Sequence, residues 1–244
     1  MNDKIIGRNP VLEAIRSGRS VDKILVKKGK YEGSIVPIIK KAKDAGIIIQ
    51  EVERAKLDQI AEGENHQGVI AYVSAYDYVS VKDILDKARE KNEPPFIIIC
   101  DKITDPHNLG AILRTANCVG AHGVIIPKRR AVGLTATVAK TSAGAVNYTP
   151  VAKVTNIAKT IEELKKEGMW FVCADMDGQM MYDLNLTGPI GLVIGNEGAG
   201  VSRLVKEKCD FTASIPMKGD IDSLNASVAA GVLAYEIVRQ RLKA

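Results

Sequence analysis

Three short segments in the second half of this 244-residue chain carry side chains that could do chemistry. The first is the loop Asp101 to Asn108, followed on the helix by Arg114, placing an amide and a guanidinium on one stretch of helical spacing. Asn108 could simply cap that helix. Arg114 stands mid-helix among Leu113, Thr115 and Ala116, so it either snorkels to solvent or is held for a partner. The second segment is Gly195-Asn196-Glu197-Gly198-Ala199-Gly200, directly after the apolar run 190–194. Its glycines let a ligand approach the backbone closely, and an unpaired Glu197 in such a turn gains nothing for the fold. The third is Pro216 to Asn225, ending in Ser223-Leu224-Asn225, which reads equally as a helix cap or a site edge. These glycines do not follow GxGxxG and no lysine follows them, which disfavours a nicotinamide or nucleoside-triphosphate site.

The elements that must position these segments read as an α/β domain. Apolar strand candidates are Phe96–Cys100, Gly123–Ile126, Trp170–Ala174, Ile190–Ile194 and Phe211–Ile215. Helix candidates between them include Leu109–Val119, Asn156–Glu167 and Leu224–Arg241. Fully apolar strands alternating with helices predict a parallel sheet covered on both faces. Ligands of such sheets sit beyond the carboxyl ends of the strands, which is where all three segments fall.

Upstream, residues 1–75 alternate shorter helices (Pro10–Ser17, Ser34–Ala45) with strands (Lys23–Val26, Ile47–Ile49, Gly68–Val73), a small α/β domain. Residues 76–95 read as a linker with one helix, Val81–Lys91, before Pro94-Pro95 opens the domain of residues 96–244. The net charge of +5 identifies no partner by itself. Lys27-Lys28 with Lys30, Lys40-Lys41 with Lys43, and Lys128-Arg129-Arg130 could be phosphate tracks or solvated faces. Four scattered cysteines without CxxC, and three histidines, give no zinc spacing, so reduced thiols and no metal are expected. No run is long enough for a membrane helix and the start lacks a secretory apolar stretch, which predicts a cytoplasmic protein.

Residues 96–244 resemble the SpoU (TrmH) family of SPOUT methyltransferases. The resemblance rests on three motifs in order: Asp105-Pro106-His107-Asn108-Leu109-Gly110 with Arg114-Thr115-Ala116, Val193-Ile194-Gly195-Asn196-Glu197-Gly198, and Ile215-Pro216-Met217 through Ser223-Leu224-Asn225-Ala226-Ser227-Val228. Ile6-Gly7-Arg8-Asn9-Pro10-Val11 and His66-Gln67-Gly68-Val69 look like the L30e-like substrate-binding domain of many members. The resemblance implies a parallel sheet with a deep trefoil knot, a homodimer, and S-adenosyl-L-methionine-dependent methylation of an RNA ribose 2′-hydroxyl. Within the family the layout is most similar to enzymes acting on a guanosine of 23S rRNA. It further implies that Asn108, Arg114, Glu197, Ser223 and Asn225 line the reaction site. Gly195, Asn196, Ile215, Met217 and Leu224 would hold the cofactor. Arg8, Asn9, Lys128, Arg129 and Arg130 would contact RNA. The alternatives are a tRNA 2′-O-methyltransferase, a drug-resistance methyltransferase acting on another rRNA loop, and a non-catalytic RNA-binding module.

Overall fold

The computed structural model describes residues 3–243. The chain divides into two compact units, one of residues 1–77 with 133–136 and the other of residues 78–132 with 137–244.

In the first unit, β1 (Asp3–Ile6), β2 (Val21–Lys27), β3 (Ile48–Val52) and β4 (Val69–Val73) form one sheet in the order β1-β4-β2-β3. Only β2 and β3 run parallel. The helices are α1 (Arg8–Arg16), α2 (Ile35–Asp44) and α3 (Arg54–Ala61). Alternation along β2 sends Ile24 and Val26 into a core with Val11, Ile38 and Ala42. Leu25 points the other way, onto Leu57 and Ala61 of α3. The sequence reading misses β1 and α3, because β1 has four residues and α3 buries only Leu57 and Ala61.

The second unit is a six-stranded sheet in the order β10-β8-β9-β5-β6-β7, with every neighbouring pair parallel. Its strands are β5 (Phe96–Asp101), β6 (Gly123–Pro127), β7 (Val151–Val154), β8 (Trp170–Met180), β9 (Ile190–Gly195) and β10 (Phe211–Ser214). All six residues of β5 and of β9 are buried, as central strands covered on both faces require. The helices are α4 (Val81–Glu90), α5 (Pro106–Cys118), α6 (Ala136–Thr141), α7 (Ile157–Lys166), α8 (Arg203–Lys206) and α9 (Ala226–Arg241). Ile97 and Ile99 of β5 share one cluster with Ile84 of α4 and Ile157, Ile161 and Leu164 of α7. The other helices in contact with the central strands are α5 on β6 and α9 on β9, and α5 also packs on α9. The parallel α/β sheet expected for residues 96–244 is present.

Of the stretch 76–95, expected to be a linker, residues 78–95 are part of this unit. A Ser80/Asp83 capping box starts α4, and Ile84, Leu85 and Ala88 bury one stripe of it. Gly123 has no side chain because Ile84 fills that space; a Cβ there would lie 2.6 Å from Ile84 Cδ1. A fragment begun at Pro94 would therefore open the core. The elements β7, α6 and α8, of four to six residues each, carry too short a pattern to be read from sequence. Among the described residues no helix is long and apolar enough to cross a membrane. No cluster of three metal-ligating side chains occurs among them, and the four cysteines are free.

Candidate active site

A cavity of about 720 Å³ opens at the carboxyl ends of β8, β9 and β10. Its walls are the turn 195–200, the segment Ala213–Met217, the bend Asp222–Leu224 and the first turn of α9. Gly195, Asn196, Ile215, Met217 and Leu224, expected to hold a cofactor, all line it, as do Glu197 and Ser223.

The turn closes on itself. Asn196 N donates to Gly200 O at 3.2 Å and Gly200 N to Asn196 O at 2.9 Å. Gly198 and Gly200 adopt φ of 82° and 62°, which side chains resist. A Cβ on Gly195 would lie 2.1 Å from Gly200 C and 2.2 Å from Val201 N. That glycine is required by the turn's own backbone, before any ligand is considered. Two further bonds tie the turn to the end of β5: Ser202 N donates to Asp101 Oδ2 at 2.7 Å, and Asn196 Nδ2 to Lys102 O at 3.0 Å. Asp101, 3% exposed, begins the first of the three loops, but the sequence reading gives it no role, although a carboxylate ending a wholly apolar strand is a legible signal.

Asn108 does not cap α5. Asp105 does, its side chain accepting from His107 N at 2.9 Å, with Pro106 at the first helical position. Asn108 stands in the first turn, 5% exposed, and its Nδ2 donates to Glu197 Oε1 at 2.7 Å. Asn225 caps α9 and also reaches Glu197. Its Oδ1 caps α9 by accepting from Ser227 N at 2.9 Å, while its Nδ2 donates to Glu197 Oε1 and, at 3.0 Å, to Asn108 Oδ1. Glu197 therefore lies against the first turn of α5 and the N-cap of α9, where helix dipoles favour a carboxylate. Both amides load Oε1, which leaves Oε2 open.

Asn225 can be split experimentally. Asn225→Ala should cost about 0.5–2 kcal/mol in chemical denaturation, the usual loss of a cap. Asn225→Asp keeps the cap acceptor but sets a second carboxylate against Glu197, raising the acid range of the pair. Asn225→Asp should thus keep most of the stability and still lose activity at neutral pH. Full activity in this variant would mean that the Glu197 contact is idle.

Arg114 is not part of this cavity. It lies exposed on α5, with no hydrogen bond or ion pair to another described residue, and the bonds to Glu197 come from Asn108 and Asn225 instead. Lys128, Arg129 and Arg130 follow β6 outside the cavity, with Arg129 and Arg130 exposed. Arg8 and Asn9 line a second cleft, of about 720 Å³, within the first unit. Lys27, Lys28, Lys30 and Arg54 join Arg8 there against one carboxylate, Glu32. Arg8 is fixed by Nε to Gln67 O at 2.9 Å and Nη1 to Ser34 Oγ at 3.2 Å. Tyr31 donates to Glu51 at 2.5 Å, and its burial together with that bond pushes its pKa up to about 12, so it stays neutral. Lys40, Lys41 and Lys43 are exposed on α2 and do not line this cleft.

Residues 95–235 match the SpoU rRNA methylase family, and residues 4–79 match the substrate-binding domain of RNA 2′-O-ribose methyltransferases. A Bacillus subtilis protein, YacO, named as a TrmH-family tRNA/rRNA methyltransferase, is 52% identical over 98% of this chain and 96% of its own. The crystal structure of the SpoU methyltransferase AviRb of Streptomyces viridochromogenes with AdoMet is 26% identical. It covers 100% of this chain and 92% of its own, with a TM-score of 0.61. The crystal structure of the A. aeolicus TrmH/SpoU tRNA-modifying enzyme is 30% identical over 66% of this chain and 84% of its own, with a TM-score of 0.56.

Proposed function

Because this chain belongs to the SpoU rRNA methylase family, we propose that it moves the methyl group of S-adenosylmethionine to the ribose 2′-hydroxyl of a guanosine in 23S rRNA. The observation that carries this reading is Glu197, held by Asn108 and Asn225 at a cavity walled by glycine backbone. The cavity fits the cofactor. Its volume is within the range of about 300–1,000 Å³ that such ligands use. Ile194, Ala213 and Leu224 offer apolar wall, and Glu197 supplies a carboxylate for a cationic ligand.

When bound, the cofactor supplies an electrophilic methyl on a sulfonium. The chain's own residues supply alignment and charge. The turn 195–200 fixes the position of the bound molecule by close backbone approach. Glu197 Oε2, left free by both amides, accepts the proton that the 2′-hydroxyl must lose. Arg114 brings a positive charge that stabilises the developing alkoxide.

Arg114 does not line the cavity of its own chain, which supports an active homodimer in which it serves the cavity of the partner. Support comes from α9, whose Val228 and Tyr235 are 49% and 55% exposed on one stripe with half-buried Val232. Light scattering should give twice 26.3 kDa; a monomer at assay concentrations would overturn the dimer.

RNA is held by the cleft of the first unit. Replacing Lys27, Lys28 and Lys30 together by Ala should weaken RNA binding and flatten its salt dependence, by roughly one unit of log–log slope per lost phosphate contact. Cofactor affinity should not change. An unchanged salt slope would make these lysines a solvated face.

The reading as a whole is tested by mapping 2′-O-methyl groups in RNA from cells with and without the gene. Loss of one guanosine methyl in 23S rRNA is expected. Loss of a tRNA methyl would move the substrate, and no loss would remove the activity.

A further inference from the structure

The cleft of the first unit offers more than positive charge, and its cations are not alike. Lys28 pairs with Glu53 at 3.5 Å and Arg54 with Asp58 at 3.8 Å, both in the open, where such pairs contribute little. Arg8 is fixed instead. Its Nε and Nη1 donate to Gln67 O and Ser34 Oγ, and its Nη2 has no partner among the described residues. The loop that holds it is itself held: buried His66 bridges Gly68 N at 2.9 Å and Asp58 Oδ1 at 2.8 Å. A guanidinium fastened at two corners presents the third to an anion such as phosphate.

One aromatic ring stands among these groups. Tyr31 packs against the core cluster of Ile38 and Ala42 and also lines the cleft. Its hydroxyl donates to Glu51 Oε1 on β3 at 2.5 Å, and a pKa pushed up to about 12 by burial and by that bond keeps the donor protonated. The hydroxyl is taken by Glu51, so what Tyr31 gives to the cleft is its ring. Held at the tip and against the core, that ring loses little freedom when a second ring covers it.

A fixed ring beside a fixed guanidinium in a basic cleft selects among nucleic acids. Phosphate alone needs only the cations. A paired helix turns its phosphates outward and keeps its bases stacked inside, so it meets the cations but not the ring. An unpaired nucleotide satisfies both, since its base stacks on an aromatic face while its phosphates follow the charged groove. Asn65 and Gln67, which line the same cleft, carry amides of the kind that bond the edges of splayed bases.

We infer that the cleft of the first unit binds an unpaired nucleotide of the RNA, with its base stacked on Tyr31 and its phosphate on Arg8. This nucleotide is not the one methylated, because every residue of the cleft belongs to the first unit and Glu197 to the second. The inference rests on the reading of this cleft as the RNA site.

The test titrates the full-length chain with a short unstructured RNA, and with the same RNA annealed to its complement, across a salt series. Tyr31→Ala should weaken binding of the single strand about tenfold or more, the usual loss of a base-stacking contact. Its log–log salt slope should not change, because no phosphate contact is lost, and duplex binding should stay within about twofold of wild type. Tyr31→Phe should keep most of the single-strand affinity, since the ring remains. Tyr31→Leu keeps apolar bulk against Ile38 and Ala42 without a ring, and serves in place of alanine if that variant does not fold. It should lose the single strand as alanine does. Unchanged single-strand affinity in a folded variant without the ring overturns the inference. So does an equal loss for the duplex, which would make Tyr31 a prop of the fold. A wild-type chain that binds neither form would instead remove the RNA reading of the cleft.

Discussion

Arg114→Ala should lower single-turnover methyl transfer by about 10²–10³-fold, the usual cost of removing a preorganised donor aimed at a developing oxyanion. Cofactor affinity and stability should stay near wild type, because Arg114 lies exposed and touches neither the cavity nor Glu197. The structure makes this more specific than the sequence could. If Arg114 serves the cavity of a second chain, mixed dimers of Arg114→Ala with Gly195→Ala recover activity. In such a dimer the intact cavity of the first chain receives the intact arginine of the other. If Arg114 served its own cavity, both protomers of the mixture would stay inactive. Wild-type rates in Arg114→Ala alone would return it to a snorkelling surface cation.

Gly195→Ala should reduce S-adenosylhomocysteine affinity at least tenfold, even though alanine is small. In the structure the added Cβ meets Gly200 C at 2.1 Å and Val201 N at 2.2 Å, and backbone cannot swing aside as a side chain can. Such overpacking costs typically about 1–3 kcal/mol, and 1.4 kcal/mol is already tenfold in affinity. The turn would open, carrying Glu197 away from Asn108 and Asn225. Calorimetry and denaturation on the same preparation check this, and affinity within twofold of wild type would sink it. RNA affinity should be retained, since the basic cleft belongs to the other unit.

The exposed position of Arg114, the open Oε2 of Glu197 and the anchored ring of Tyr31 share one property. Each depends on where two distant parts of the chain meet. Asn108 reaches Glu197 across 89 residues and Asn225 reaches Asn108 across 117. Local rules read Asn108 as a cap because asparagine near a helix start usually is one. Only the fold shows Asp105 taking that position and freeing the Asn108 amide. The linker reading of 76–95 failed in a similar way. Its polar composition is real, but the stripe Ile84, Leu85 and Ala88 is buried by a sheet that begins six residues after α4 ends.

The sequence by itself determined the parallel sheet of the second unit, since apolar runs such as Ile97-Ile98-Ile99 and Ile190–Ile194 have no stable place except between covered faces. It also determined which loops meet at the carboxyl end of that sheet, because strand polarity fixes the end at which each loop emerges. Tertiary structure decided which side chain bonds which, which arginine stays outside the cavity, and which ring lines the basic cleft. Periodicity and capping are properties of a few neighbouring residues. A hydrogen bond between two loops depends on the register of the strands beneath them, and that register is set by packing of the whole unit.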